Sequence, residues 1–369
     1  MKNIFLFKVL LYSILCQSQI VDIPDNNFKN KLVNTNCVDS NNDGTYDTDV
    51  DTNNDGEIQQ SEALAISGTL RVSYSNITNL KGIEAFINLT KLFCNSNQLT
   101  SLNVTKLVNL NELNCNFNPL TSLDVTKNIN LIKLQCGLTK TLSTIDVTKN
   151  INLTLLHLFS NALTNIDLSK NINLVHLSLG YNPITNIDVS NNTLLKYIDC
   201  IENEFTAIDL SKNELLTSIF IQNNPNLIDV NLKNGNNHNV PKGVNFIDFG
   251  NLPSLETVCV DDKNSVFIDN LIEYHPELST VNFTDQCTLA LNENQLQKFT
   301  IYQNSIEDKL IINSNSDIQN ITVYNNLGQI VLQKRDLNII NTTNLKRGVY
   351  FIKIEDVKHY KGVIKFLKN

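Results

Sequence analysis

The stretch LTKLFCNSNQLTSLNV, residues 89–104, sets the pattern that the middle of the chain repeats. Its apolar side chains stand in two groups, at Leu89, Leu92 and Cys94 and at Leu99, Leu102 and Val104. The first group alternates with a period of two, which predicts a short strand with one inward face. Asn97 follows at the turn, where its side-chain amide can bond backbone groups as the chain leaves the strand.

The pattern recurs with a period of about 21–22 residues. Further copies begin at Leu110, Leu131, Leu153, Leu174, Leu195 and Leu216, and degenerate copies occupy Leu70–Leu80 and Leu255–Val260. A single coil cannot bury its own apolar side chains, so such coils stack into a solenoid. The pattern resembles the leucine-rich-repeat consensus over about residues 64–260. The resemblance implies an α/β-type solenoid with short parallel strands and a mostly irregular convex side.

The cysteines divide into two groups by their place in the repeat. Four occupy the inward position that Leu158 takes in a later copy: Cys94, Cys115, Cys136 and Cys200. We interpret them as small core residues rather than disulfides, and burial disfavours catalytic thiols. Cys259 and Cys287 follow the last good copy, and we expect them to form a disulfide that closes the C-terminal cap. Residues 64–287 thus form the predicted solenoid with its cap, and Cys37 has no obvious partner.

The N-terminal region predicts an export signal and a cap. Residues 1–18 combine Lys2 and Lys8 with an apolar run, as in a signal peptide. Lipid attachment at Cys16 is the alternative, although Leu15 before it fits that processing poorly. Residues 19–63 then cover the open end of the solenoid. Within them we predict a short amphipathic helix over residues 24–34, N-capped by Asp25.

The sequence DTNNDGEIQQSE, residues 51–62, agrees with the calcium-loop pattern D-x-[DN]-x-[DN]-G-x₅-E at every position. The expected oxygen ligands are Asp51, Asn53, Asp55, the Glu57 carbonyl and Glu62. The bound Ca²⁺ is expected to be structural and to stiffen the cap. The segment from Asp39 starts in the same way but has Val50 at its last position, which predicts a weaker site. The alternative is an acidic, solvated loop without a metal.

Beyond a linker at 288–297, residues 298–369 contain short alternating runs typical of a small all-β, immunoglobulin-like sandwich. Five segments carry a resemblance to the type A C-terminal sorting domain of type IX secretion cargo: Tyr302–Asn304, Asp308–Leu310, Val323–Val331, Leu345–Ile352 and Lys361–Asn369. Gln303 and Ser305 replace the prolines that flank Asn304 in that family. The resemblance implies contact with the type IX secretion machinery, a secreted or cell-surface location, and later removal of this domain. The alternative is an ordinary β-sandwich binding module.

Charge and missing motifs narrow the function further. The formal net charge of −8 argues against binding nucleic acid or an anionic membrane, which both require a basic face. No apolar run after the signal segment reaches about 18 residues, so no membrane span is expected. The sequence contains no H-E-x-x-H, G-x-S-x-G or C-x-x-C motif. We therefore expect a binding protein rather than an enzyme.

The residues between the inward positions of each strand form the predicted concave face of the solenoid. Its candidate ligand-binding patch consists of His157, Phe159, His176, Tyr197 and Phe220. Aromatic residues in a polar surface are favoured anchors for a protein or glycan ligand. The alternatives are surface aromatics without a role and a structural surface or matrix component without a specific ligand. A hydrolase using Asp199 or Glu112 is a remote third hypothesis.

Overall fold

The structure is a computed structural model that describes residues 19–41, 43–236, 247–287, 299–304, 309–314, 317–325, 329–335, 338–357 and 361–368. Contacts within the chain divide it into two compact units, Met1–Asp285 and Gln286–Asn369. The predicted signal segment 1–18 and linker 288–297 lie outside the described residues.

The N-terminal cap is built on helix α1, Asn26–Asn34. The Asp25 carboxylate accepts a hydrogen bond of 2.9 Å from the Phe28 N–H, so Asp25 is the N-cap residue that the sequence predicted. Phe28 and Leu32 are fully buried against the end of the solenoid core. The helix begins later than expected because the extended Asp25 immediately precedes it.

Short parallel strands follow one another along the solenoid. The strands of its main sheet are β1 (Val38–Asp39), β2 (Thr69–Arg71), β3 (Lys91–Phe93), β4 (Glu112–Asn114), β5 (Lys133–Gln135), β6 (Leu155–His157), β7 (His176–Ser178), β8 (Tyr197–Asp199), β10 (Ser218–Phe220) and β12 (Ile247–Asp248). They pair in that order, parallel except for the antiparallel β1–β2 pair. Helix α2 (Gln60–Ala65) precedes β2, and a 3₁₀ turn spans Ile83–Ala85.

The inward direction of the repeated apolar residues is as the sequence predicted. The residues at the strand centres are at most 2% exposed: Leu92, Leu113, Leu134, Leu156, Leu177, Ile198 and Ile219. The next inward column is fully buried and contains Cys94, Cys115, Cys136, Leu158, Leu179, Cys200 and Ile221. Because each buried leucine contributes about 1.5–3 kcal/mol, these two columns supply much of the solenoid's stability.

Asparagine side chains fasten each coil to the one before it. The Nδ2 group of Asn182 donates to the carbonyl oxygens of Leu179 in its own coil (2.9 Å) and Leu158 in the preceding coil (3.0 Å). Its Oδ1 accepts from the Leu163 N–H at 3.0 Å. A second buried column precedes the strands, where Asn171 donates to Val147 and Asn150 carbonyls at 2.9 Å each. The repeat pattern predicted the column of turn asparagines but not the column that precedes the strands.

The late coils carry a second parallel sheet where we expected irregular chain. Its strands are β9 (Ala207–Asp209), β11 (Asp229–Asn231), β13 (Thr257–Cys259) and β14 (Asn282–Thr284). The degenerate copy at Leu255–Val260 therefore belongs to this sheet, not to the main one. Helix α3 (Val266–Tyr274) and a 3₁₀ turn (Pro276–Thr280) lie between the last two strands.

The C-terminal unit contains two antiparallel sheets. Its strands are β15 (Phe299–Asn304), β16 (Lys309–Ser314), β17 (Ile318–Asn325), β18 (Ile330–Arg335), β19 (Ile339–Asn341), β20 (Gly348–Asp356) and β21 (Lys361–Lys368). One sheet has the order β15-β16-β19 and the other β18-β17-β20-β21. Leu310 and Ile340 from the first sheet share a core with Val323, Ile352 and Ile354 from the second.

Candidate functional site

The main sheet brings the five predicted ligand-binding residues into two ring clusters. In the first, the His157 and Phe159 rings are stacked, with centroids 6.0 Å apart and planes 7° apart. In the second, Tyr197 lies 6.0 Å from His176 and 5.5 Å from Phe220, centroid to centroid. Register explains the first of these contacts, because His176 pairs with Tyr197 across β7 and β8; Phe220 pairs with Asp199 and reaches the Tyr197 ring diagonally.

Tyr181 belongs to the first cluster but was missed by the sequence argument. Its ring centroid lies 4.9 Å from that of Phe159, and its side chain is 46% exposed. Tyr181 stands in the turn after β7 with a φ of 57°, as Phe117 does three coils earlier with a φ of 56°. The signal was the fixed distance from the turn asparagine, since both aromatics come immediately before it.

A pocket of about 550 Å³ opens on this face of the sheet. It is lined by Asn116, Gln135, Leu138, Leu155, Leu156, His157, Phe159, His176, Leu177, Ser178, Tyr197 and Asp199. Four of the five predicted residues line it, and Phe220 touches it through Tyr197. This volume lies in the range of sites that take small molecules or single side chains and sugar units.

Burial sets the protonation of the groups around the pocket. Burial lowers the pKa of His157, which favours a neutral imidazole. Burial raises the pKa of Asp199, while hydrogen bonds from the Ser178 hydroxyl (2.7 Å) and the Ile201 N–H (3.2 Å) act in the opposite direction. Burial, and then the nearby Asp199, raises the pKa of Tyr197 to about 12. Burial therefore favours a neutral imidazole at His157 and a neutral phenol at Tyr197.

The predicted calcium loop is closed by its own hydrogen bonds. Asp51, only 2% exposed, accepts from the Asp55 N–H (3.1 Å) and the Gly56 N–H (2.8 Å). Glu62, 6% exposed, accepts from the Thr52 N–H (2.8 Å) and, through its other oxygen, from the Gln59 N–H (2.9 Å). The segment from Asp39 repeats this arrangement, since Asp39 accepts from the N–H groups of Asp43 and Gly44.

The side chains of Asn53 and Glu57 are also engaged. Asn53 Oδ1 accepts from the Asp55 N–H at 2.9 Å, and the Glu57 carboxylate pairs with Lys29 at 2.6 Å. Across the described residues, no group of three or more His, Cys, Asp or Glu side chains is placed so that it could hold a metal ion. The bonds that turn Glu62 towards backbone N–H groups account for this, and calcium binding stays a prediction.

Cys259 and Cys287 are both disulfide-bonded. The other five cysteines that the structure describes carry buried, free thiols: Cys37, Cys94, Cys115, Cys136 and Cys200. Burial raises the pKa of the Cys37 thiol to about 12 and that of Cys94 further, so these thiols are poor nucleophiles.

Within the part of the chain that the structure describes, no helix combines the length and apolar character needed to cross a membrane.

Comparisons with known proteins identify the C-terminal unit. The secretion system C-terminal sorting domain family matches residues 300–369. No curated protein matches the chain significantly.

Among solved structures, the chain is similar to internalin C2 from Listeria monocytogenes, at 24% identity and a TM-score of 0.43, over 66% of this chain and 97% of the internalin. It is similar to the functional domain of InlJ from Listeria monocytogenes, which includes a cysteine ladder, at 18% identity and a TM-score of 0.24, over 95% and 98% of the two chains. A leucine-rich-repeat protein from Leptospira interrogans shares 19% identity at a TM-score of 0.39, over 58% and 65%.

The molecule has two parts, the stacked coils and the C-terminal unit. The stacked coils have the short parallel strands, inward leucine columns and turn asparagines of leucine-rich-repeat proteins. The sorting domain marks the chain as type IX secretion cargo that is secreted or held at the cell surface. The chain is therefore a leucine-rich-repeat solenoid that carries a C-terminal sorting domain of type IX secretion cargo.

Proposed function

We propose that this protein recognises a protein or glycan ligand outside the cell, for adhesion or recognition, through the concave face of its main sheet. The observation that carries the proposal is the pocket on β6–β8, with one ring cluster at each side of it. Rings at the centre of an otherwise polar surface are the usual anchors of a binding site.

The same geometry favours binding over catalysis. The Ser178 hydroxyl donates its hydrogen bond to Asp199, so it is not activated by an imidazole. Asp199 is 4% exposed and is held by two donors, which leaves it poorly placed to act on a substrate. We infer that Asp199 and Ser178 form a floor that positions the rings above them.

The test compares two double variants of the full chain. Phe159→Ala/Tyr197→Ala removes one ring from each cluster, and Ile151→Ala/Ile172→Ala removes two apolar side chains that are more exposed than the rings and stand four residues ahead of their strands. Binding to a glycan array and to a cell-surface protein extract is measured together with the melting temperature. We expect about a tenfold or greater loss of binding for the ring variant alone, with little change in its melting temperature.

Equal binding by both variants would contradict the proposal. A large loss of stability in the ring variant would mean that the rings are structural. If neither preparation contains a ligand for the unaltered chain, the alternative of a surface or matrix component without a specific ligand takes the proposal's place.

We propose further that the loop at residues 51–62 binds Ca²⁺ and stiffens the N-terminal cap. Support comes from the two buried carboxylates, Asp51 and Glu62, which face one short loop, and from the sharp turn that Gly56 allows at a φ of 81°. Binding requires Glu62 to exchange its N–H partners for the ion. Gln59 and Glu62 also form a capping box at α2, so this loop and the helix are coupled.

For the domains, we propose that residues 19–63 cap the solenoid of residues 64–287 and that residues 298–369 are an immunoglobulin-like sandwich. The shared core of the two antiparallel sheets supports the second assignment.

A further inference from the structure

Gly137 and Gly180, at one coil position, let side chains that line the concave pocket lie close against the backbone. A Cβ on Gly180 would lie 2.7 Å from Asp199 Oδ1 and 3.0 Å from the Phe159 ring. A Cβ on Gly137 would lie 2.8 Å from His157 Nε2. Neither glycine has a positive φ, so backbone conformation does not require them. In other coils this position holds larger residues such as Asn95, Asn116, Ile201 and Gln222, and after β12 it holds a third glycine, Gly250.

Next to these glycines, the Phe159 ring lies between the rings of His157 and Tyr181. Phe159, half-buried, contacts His157 on one side and Tyr181 on the other. Tyr197 continues the apolar surface on the next strands with His176 and Phe220. The pocket therefore presents ring surfaces along its length, not a single apolar hole.

Besides Asp199 and the two histidines, the polar side chains of the lining are uncharged amides and hydroxyls. Asn116 and Gln135 each carry an amide donor and an acceptor, and Ser178 and Tyr197 carry hydroxyl groups. Among the lining residues that the structure describes, there is no lysine or arginine, and Asp199 is the one carboxylate. Such a site does not attract an anionic ligand.

The backbone of the sheet leaves no edge at the pocket. Strands β6, β7 and β8 each pair with a parallel neighbour on both sides. A peptide cannot add to this sheet as a further strand, which is the mode that would give it main-chain hydrogen bonds. Recognition here uses ring surfaces and neutral side-chain amides and hydroxyls.

We propose that the pocket binds a neutral glycan, with sugar rings lying on Phe159, Tyr181 and Tyr197 and sugar hydroxyls bonded to Asn116 and Gln135. A sugar ring has C–H groups on its faces and hydroxyl groups at its edges, and this matches a lining of aromatic surfaces bordered by uncharged donors and acceptors. The assignment rests on the proposed function, since it names the ligand class of the same site. Gly137 and Gly180 are its specificity-determining positions, because a Cβ at either one would collide with lining residues and displace them.

The experiment is affinity gel electrophoresis of the full chain in gels containing a soluble neutral polysaccharide, namely β-1,3-glucan, arabinoxylan or galactomannan, or an acidic one, namely alginate or polygalacturonate. We expect at least one neutral polysaccharide to retard the chain. Gly180→Ala and Phe159→Ala/Tyr181→Ala should weaken that retardation about tenfold or more. Gly250→Ala is the matched control, because Gly250 occupies the same coil position in the last strand of the sheet and its added Cβ would come no closer than 3.2 Å to Asp248.

Melting temperatures establish that each variant is folded, and the ring variant tests the site without adding bulk if Gly180→Ala is unstable. Retardation by none of the neutral polysaccharides, retardation by the acidic ones alone, or equal retardation of all variants would overturn the assignment. If neutral polysaccharides fail while a surface protein still binds in a Phe159- and Tyr197-dependent way, the concave binding site stands and the glycan assignment falls.

Discussion

At the scale of single residues, Asn182 shows how one side chain holds two coils together. Its Nδ2 donates to the Leu158 and Leu179 carbonyls, which also accept from Asn161 and Asn203, and its Oδ1 accepts from the buried Leu163 N–H. Leaving buried backbone groups unpaired costs more than the hydrogen bonds themselves contribute, because each group has already lost its water.

Replacing the Asn182 side chain should therefore destabilise the folded chain. We expect Asn182→Ala to lower the free energy of unfolding by about 1–3 kcal/mol or more in urea denaturation. Asn186→Ala is the control, since Asn186 is exposed and bonds only the neighbouring Thr185 hydroxyl; it should change stability by less than about 0.5 kcal/mol. Similar effects of the two substitutions would contradict the role given to the buried column.

His157 predicts a pH dependence of stability. Burial lowers its pKa in the folded chain, so the contribution of the neutral imidazole is complete above the unfolded pKa of about 6.5 and is lost as the pH falls through the folded value. The melting temperature should fall as the pH is lowered from about 7.5 to about 5, a range that spans the unfolded pKa of histidine. The fall should be less steep in His157→Gln than in the unaltered chain. His176→Gln, which replaces an exposed imidazole on the next strand, is the comparison. An unchanged slope in His157→Gln would contradict the buried environment assigned to it.

At the scale of elements, the repeat spacing predicted what depends on periodic burial and missed what depends on backbone approach. The inward columns through Leu177 and Leu179 follow from alternation along a strand, and so does the outward direction of His157 and Tyr197. The second sheet was missed because Asp209 and Asp124 stand in the same motif, yet only the former lies in a paired strand. Spacing does not say whether stacked backbones come within hydrogen-bond distance.

The candidate site was also predictable only in part. The five residues of the patch were found because they lie in or next to strands, whereas Tyr181 lies in a turn whose positive φ directs it outward. The pocket itself was not predictable. It depends on the missing side chains of Gly137 and Gly180, which let His157, Phe159 and Asp199 approach the backbone closely.

The N-terminal loop and α2 form the element whose stability should depend on calcium. A ligand that binds only the folded state stabilises it in proportion to the logarithm of its concentration. Chelation with EGTA should therefore lower the melting temperature of the full chain.

The matched variants separate metal binding from helix capping. Glu62→Gln keeps a residue that can complete the capping box but loses the negative charge, so its melting temperature should no longer respond to EGTA. Glu214→Gln, at an exposed position in a middle coil, should respond like the unaltered chain. If EGTA changes nothing in any of the three proteins, the loop is an acidic turn without a metal.

At the scale of the whole molecule, ligand binding depends on one arrangement of side chains in the stacked coils. Leucine and cysteine columns face the interior along the entire solenoid, and the rings between them face outward on one sheet that the sorting domain carries out of the cell. Recognition is thus a property of the stack, since Phe159, Tyr181 and Tyr197 come from three successive coils that only the solenoid brings side by side.

Hydroxyl-radical footprinting with mass spectrometry measures that arrangement directly, because side chains are oxidised according to their exposure. Tyr181 and Tyr197 should be oxidised in the free protein, Phe86 and Phe205, both fully buried, should not, and a retained polysaccharide or protein ligand should protect the two tyrosines. Oxidation of Phe86 and Phe205 together with protection of Tyr181 and Tyr197 before any ligand is added would contradict both the solenoid and the binding face assigned to it.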